Sequence, residues 1–291
     1  MKSIFTFLAF VFAVFALCGI HAAGAGEETA GQPEQQQNIS PAQAFVMLSQ
    51  EAANGNSGAL LTLGTMYERG IGTQRDFAKA FDCYSRAAAA GLAEGFYNTG
   101  VCYEIGMGTV GSADPKNAEL AFQNFEKAAE RGLSQGLYKL AAMYMSGTGV
   151  AKNEAWGVEL LGRAAAAGHA GAANDLGVIY FEGNFGQAKD AAKAFDWFGK
   201  SAELGNGEAM KNMAVFYRDG IGRPANPGQE LKWYALARLA GYPAGPLNVA
   251  IEEVKKKMSE DEVTKIEAEA QAWVKAFQER QQVRPAQPAA Q

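Results

Sequence analysis

Histidine and cysteine are scarce in this chain, two and three residues among 291, and beyond the first 25 residues a single histidine, His169, remains. That supply argues against a His/Cys zinc centre, because no His, Cys and carboxylate set has metal spacing. It also leaves no Ser/His/Asp set except one built on His169, and no serine sits in a Gly-x-Ser-x-Gly elbow. Basic runs are equally short, the longest being Lys255-Lys256-Lys257, which reads as a solvated helix end. With a formal charge of −5 and a pI near 5.3, the chain has no stripe for nucleic acid. β-Branched runs are few, and beyond residue 25 there is no long apolar run of the kind that spans a membrane. Apolar residues nevertheless make up 48% of the chain, ample for a large buried core.

The first residues differ in kind. Lys2 is followed by an uncharged, mainly apolar run from Ile4 to Ile20, and then by Ala22, Ala23, Gly24 and Ala25. This is the layout of a secretory signal peptide, expected over 1–25 with cleavage near Ala22 or Ala25. The alternatives are an uncleaved anchor, for which 17 residues fall short of the roughly 20 needed, and lipidation at Cys18, where Leu17 is larger than the small residue such a site resembles. Cleavage removes Lys2 and takes the formal charge from −5 to −6. Residues 26–40 lack aromatics and carry one branched apolar residue, Ile39, so they read as a flexible tether, and 281–291 read the same way.

Between these ends the chain repeats itself. Tyr67, Tyr103, Tyr144, Tyr180 and Tyr217 recur at steps of 36, 41, 36 and 37 residues, and Gly91, Gly132, Gly168, Gly205 and Gly241 close the units. Such a period calls for a solenoid of helix pairs. In each unit, apolar or small residues at i, i+3, i+4, i+7 (Leu60, Leu63, Gly64, Tyr67 in the first) make one helix face. Gly64, Gly100, Gly177, Ala141 and Ala214 share one mid-helix place, so a close contact between helices is expected there. Each first helix runs into glycines such as Gly70-Ile71-Gly72. No Gly-Lys-Ser/Thr follows and no strand precedes, so these are turn glycines rather than a phosphate loop. The second helix starts after Asp76, Asn153, Asp190 or Asn226 and carries a second stripe, for example Ala80, Phe81, Tyr84, Ala87 and Ala88.

The stretches Leu63–Gly91, LGTMYERGIGTQRDFAKAFDCYSRAAAAG, and Leu176–Gly205, LGVIYFEGNFGQAKDAAKAFDWFGKSAELG, resemble the Sel1-like repeat family, relatives of the tetratricopeptide repeats. The resemblance covers Ser57 to Gly241 as five units. It implies an all-α, right-handed superhelical solenoid of helix-turn-helix repeats of about 36 residues. The expected organisation is a solenoid over 41–257: a half unit 41–56, units 57–91, 92–132, 133–168, 169–205 and 206–241, and a partial unit 242–257. Unit two departs by a loop five residues longer (GTVGSADPKN), and unit three has Glu159-Leu160-Leu161 where others have an aromatic pair. A capping helix is expected over 258–280, begun by the capping box of Ser259 and Glu262, with Val263, Ile266, Ala270, Trp273 and Phe277 on one face.

The resemblance further implies a binding scaffold, exported to the bacterial envelope or secreted, partnered by another protein or an extended peptide. No cofactor, metal or nucleic acid is expected, nor membrane insertion once the leader is cleaved, and the state expected is a monomer. Its candidate site is a ladder of polar residues beside the first-helix stripe: Asn98, Lys139, Asp175, Asn212 and Asn248, with Thr62 in the same place. Amides offer both a donor and an acceptor, which suits an extended chain; the competing reading is that this position only meets solvent. Tyr97 and Tyr138 add flat contact area or pack between repeats. The alternative functions are a weak hydrolase or a binder of cell-wall fragments, as claimed for cysteine-rich relatives tied to β-lactams, whose repeated cysteines this chain lacks. His169 reads as a solvated turn residue. Cys83 and Cys102 lie at similar heights, 8 and 11 residues from Gly91, and are either a disulfide, in an exported chain, or two buried thiols.

Overall fold

A computed structural model describes residues 39–108 and 115–283. By backbone contacts the chain divides into two units, Met1–Ile39 and Ser40–Gln291. The leader, most of the tether, most of the unit-two insertion and the tail after 283 lie outside the described residues. What is described is helical throughout, with no strand among those residues: thirteen helices in tandem.

In chain order they are α1 (Pro41–Ala53), α2 (Ser57–Arg69), α3 (Phe77–Ala89), α4 (Ala93–Ile105), α5 (Pro115–Glu130), α6 (Ser134–Ser146) and α7 (Glu154–Ala166). There follow α8 (Ala170–Glu182), α9 (Ala191–Glu203), α10 (Gly207–Asp219), α11 (Pro227–Leu239), α12 (Ala244–Lys255) and α13 (Glu260–Val283). From α2 to α11 they alternate as first and second helices of five pairs. Each packs on its chain neighbours, and the fold is an all-α solenoid.

Local chemistry sets the boundaries. Gly70, Gly106, Gly147, Gly183 and Gly220 end the first helices in the left-handed conformation, where a side chain would be strained. Asp76, Asn153, Asp190 and Asn226 open second helices, each side chain accepting from the backbone N–H three residues on, at 2.9–3.1 Å. The turn between units is the same each time: the residue after each closing glycine donates its N–H five residues back, as in Leu92 to Ala87, His169 to Ala164 and Tyr242 to Ala237.

Packing accounts for the repeated letters. The opening Tyr stacks edge-on against an aromatic of the preceding unit: Phe45–Tyr67, Phe81–Tyr103, Phe122–Tyr144 and Phe195–Tyr217, with centroids 5.3–5.7 Å apart. Unit three has Val158 in the aromatic's place, so Tyr180 has no such pair there. The mid-helix glycines receive a ring from the second helix of their own unit: a Cβ on Gly64 would stand 2.4 Å from Tyr84, on Gly100 2.7 Å from Phe125 and on Gly177 2.6 Å from Phe198. The contact expected there is thus a ring seated on a helix. Backbone-to-backbone approach comes five residues earlier, at Gly95, whose Cβ would stand 2.4 Å from the Ala88 nitrogen.

At the C-terminal end, α13 lays Val263, Ile266, the fully buried Ala270, Trp273 and Val274 on the core formed by α9 to α12. Trp273 and Phe277 stack at 5.2 Å, and Phe277 reaches the Gly205 turn. Ser259 and Glu262 make the expected reciprocal bonds at its start. Burying these apolar side chains, at about 25 cal/mol per Å², holds the helix over the end of the array.

Candidate binding face of the first helices

The ladder falls one residue per unit on successive first helices, always seven residues after a closing glycine. Asn98 on α4, Lys139 on α6, Asp175 on α8 and Asn212 on α10 are half-buried, as is Thr62 on α2, whereas Asn248 on α12 is exposed. None of the five inner positions therefore points simply to water. Several are tied across to the neighbouring first helix, which the sequence reading did not foresee. Lys139 Nζ pairs with Glu104 Oε2 at 2.6 Å and lies 5.7 Å from the centre of the Phe125 ring. The Tyr138 hydroxyl donates to Asp175 Oδ2 at 2.9 Å. Asn212 Nδ2 donates to Asn174 Oδ1 at 3.3 Å. In the last two, the residue just before the ladder position in one unit meets the ladder residue of the next.

The densest part of the face is the α6–α8–α10 stretch. The Tyr138 ring stacks on His169 with centroids 4.3 Å apart and planes 19° from parallel. His169 is no solvated turn residue: it is half-buried and caps α8, its Nδ1 accepting from the Ala172 N–H at 3.0 Å. Accepting that bond requires the unprotonated nitrogen. Burial lowers the His169 pKa, partly opposed by the charge of Asp175. Burial pushes the Asp175 carboxyl above its usual range, against the bonds from Tyr138 and Asn174 that hold it down, and Glu208 on α10 adds to the rise. The Tyr138 phenol is pushed up to about 12, by burial first and then by Asp175. Asn174, 5% exposed, stands in the slot of Leu61 and Tyr97, where no periodic signal in the sequence marks it.

This arrangement offers donors and acceptors at fixed spacing and holds no assembled nucleophile. Among the described residues no group of three or more His, Cys, Asp or Glu could hold a metal ion. Among the same residues no helix is long and apolar enough to cross a membrane. Cys83 and Cys102 are free, buried thiols, and no disulfide joins them. Cys83 packs with Ala52, Leu60 and Ala87, whereas Cys102 faces Ala80 and Tyr84, so two residues of similar height serve different seams. Burial raises both thiols, Cys102 to about 12.

Comparison with known proteins agrees with this geometry. A family model described as the Sel1 repeat matches residues 57–92, 94–133, 134–169, 170–206 and 207–242. A solved Sel1 repeat protein from Oxalobacter formigenes is similar at 26% identity and a TM-score of 0.65, covering 79% of this chain and 93% of that one. A putative Sel1 repeat protein from Klebsiella pneumoniae matches at 24% identity and a TM-score of 0.44, over 73% of this chain and 98% of that one. The protective antigen c5321 of uropathogenic Escherichia coli matches at 23% and 0.41, over 87% and 69%. No curated protein matches.

Proposed function

The chain belongs to the Sel1 repeat family, and from that premise we propose that it is an exported scaffold that grips an extended stretch of another protein along its first helices. It works in the bacterial envelope or after secretion, as an adaptor without chemistry of its own. The leader-like residues 1–25 support export, and cleavage there leaves the tether ahead of α1.

The observation that carries the reading is the half-buried polar row with its cross-links. Each bond between neighbouring first helices uses only part of a side chain's capacity: Lys139 has three donors and spends one on Glu104 in an ion pair, and the Asn212 amide keeps its carbonyl. Side chains already held in place lose less freedom when a peptide arrives, which is how a modest row of polar contacts gains affinity.

The test is affinity capture. The chain from Gly26 is immobilised, exposed to envelope extract of the organism that encodes it, and compared with a variant carrying Asn98→Ala, Lys139→Ala, Asp175→Ala and Asn212→Ala, checked for helicity by circular dichroism. A protein retained by the native chain and lost from the folded variant supports the ladder. Equal retention by both refutes it.

A further inference from the structure

A cleft of about 460 Å³ lies between the first turns of α11 and the start of α13, within the roughly 300–1,000 Å³ range of ligand sites. It is remote from the ladder, and no ladder residue lines it. We propose that this cleft is a second binding site, one that takes an acidic peptide segment bearing an apolar side chain.

Charge argues for the acid. Lys232, Lys257 and Lys265 all line the cleft, in a chain whose formal charge is −5. The two carboxylates on its wall are already engaged: Glu269 pairs with Lys232 at 3.2 Å, and Glu262 is bonded to Ser259 in the helix cap. Lys257 and Lys265 are exposed, and among the described residues the side chain of neither makes a hydrogen bond or ion pair. Lys257 is within electrostatic reach of Glu230 and Glu253, and Glu253 is itself paired with Lys256 at 2.6 Å. The cleft opens where the α11 backbone begins, so the partial positive end of that helix adds to the lysines.

Shape argues for the apolar side chain and for a peptide. Ile266 and Met258 form part of the wall, and Gly228 puts no side chain into it; an added Cβ would stand 3.4 Å from Asn226 Oδ1 and 3.6 Å from Ile266, in ordinary contact with the wall. Gln229 supplies an amide able to meet a peptide backbone. A small anion would use the lysines alone and leave the apolar wall wet, whereas alternating acidic and apolar residues cover both.

The experiment is fluorescence anisotropy on the chain from Gly26, using a fluorescein-labelled hexapeptide of alternating glutamate and leucine. A saturable rise is expected, weakened about tenfold by Lys257→Glu with Lys265→Glu, as two lost charge contacts would give. Gly228→Leu, which fills the cleft without altering charge, weakens it too, and Asn98→Ala with Asn212→Ala leaves it unchanged. Circular dichroism checks the fold; should the reversal disturb it, the milder Lys257→Gln with Lys265→Gln is read instead. The proposal is overturned if the native chain does not bind the peptide, if a glutamine-for-glutamate peptide binds equally well, or if the lysine variants bind as the native chain does. Binding lost only in the asparagine variant would place the peptide on the ladder and equally overturn the cleft.

Discussion

Replacing Gly177 by alanine places a methyl group 2.6 Å from two ring atoms of Phe198, where carbon atoms in good contact stand about 3.5–4.0 Å apart. The ring has little room to retreat: Phe198 is 2% exposed and meets Phe216 edge-on at 5.6 Å. Overpacking of this kind costs about 1–3 kcal/mol, and the tightness here argues for the upper half of that range. The substitution also removes a mid-helix glycine, which returns about 1 kcal/mol. The expected net effect is a loss of about 1–2 kcal/mol. Gly199 in the partner helix α9 is the control, since a Cβ there meets no atom within 4 Å; Gly199→Ala should gain about 0.5–1 kcal/mol. In unit five Ala214 takes the place of Gly177 and Tyr234 that of Phe198, within one core, so an aromatic in that place does not by itself demand glycine; the close approach at Gly177 does. Urea unfolding followed at 222 nm reads both variants. A Gly177→Ala protein as stable as the native chain would refute the packing account.

Other outcomes follow from single contacts. Asn206→Ala removes the cap that accepts from the Ala209 N–H at 2.9 Å and should cost about 1 kcal/mol in the same urea assay. His169 has a lowered pKa in the fold, so the unfolded chain takes up its proton first: stability is whole above the ordinary histidine value near 6.5 and declines as pH falls through it. His169→Asn, which keeps a capping acceptor, should flatten the decline below about pH 6.5; an unchanged profile would remove His169 as its source. Thiol titration of the chain from Gly26, without reductant, should find two reactive groups once unfolded and slow reaction of both while folded, since Cys83 and Cys102 are buried and raised. Finding no thiol in the unfolded chain would mean that the two are bonded.

How much of this could be read from the chain depends on how far each cause reaches. Caps such as Asp190 and turn glycines such as Gly70 act within four residues, so their letters announce them. The stripe of Leu60, Leu63 and Gly64 is equally plain, because one helix face repeats every turn. Partnerships across units are another matter. Tyr138 and Asp175 stand 37 residues apart and bond only because two first helices lie side by side, so neither letter foretold the other. Counting from Gly91 placed Cys83 and Cys102 at one height but could not say that their helices turn them toward different seams. Glu230, 3% exposed, fills the slot that holds Ala80, Ala121 and Ala194 elsewhere, with its carboxyl pushed up by burial. A lone acid in a small-residue column passes for surface when only its own helix is read.

The cross-links between first helices are not equal, and this gives the array an uneven response to its medium. The α4–α6 joint rests on opposite charges, Glu104 and Lys139, whose side chains are 40% and 26% exposed. The next two joints, α6–α8 and α8–α10, rest on a phenol meeting a carboxylate and on one amide meeting another. Counter-ions shield exposed charges over about 8 Å at physiological ionic strength and over less as salt rises. Salt therefore weakens the first of these ties and leaves the other two largely as they were. Between dilute and saline surroundings the polar tie between the second and third units weakens, while the apolar packing beneath it holds the two together.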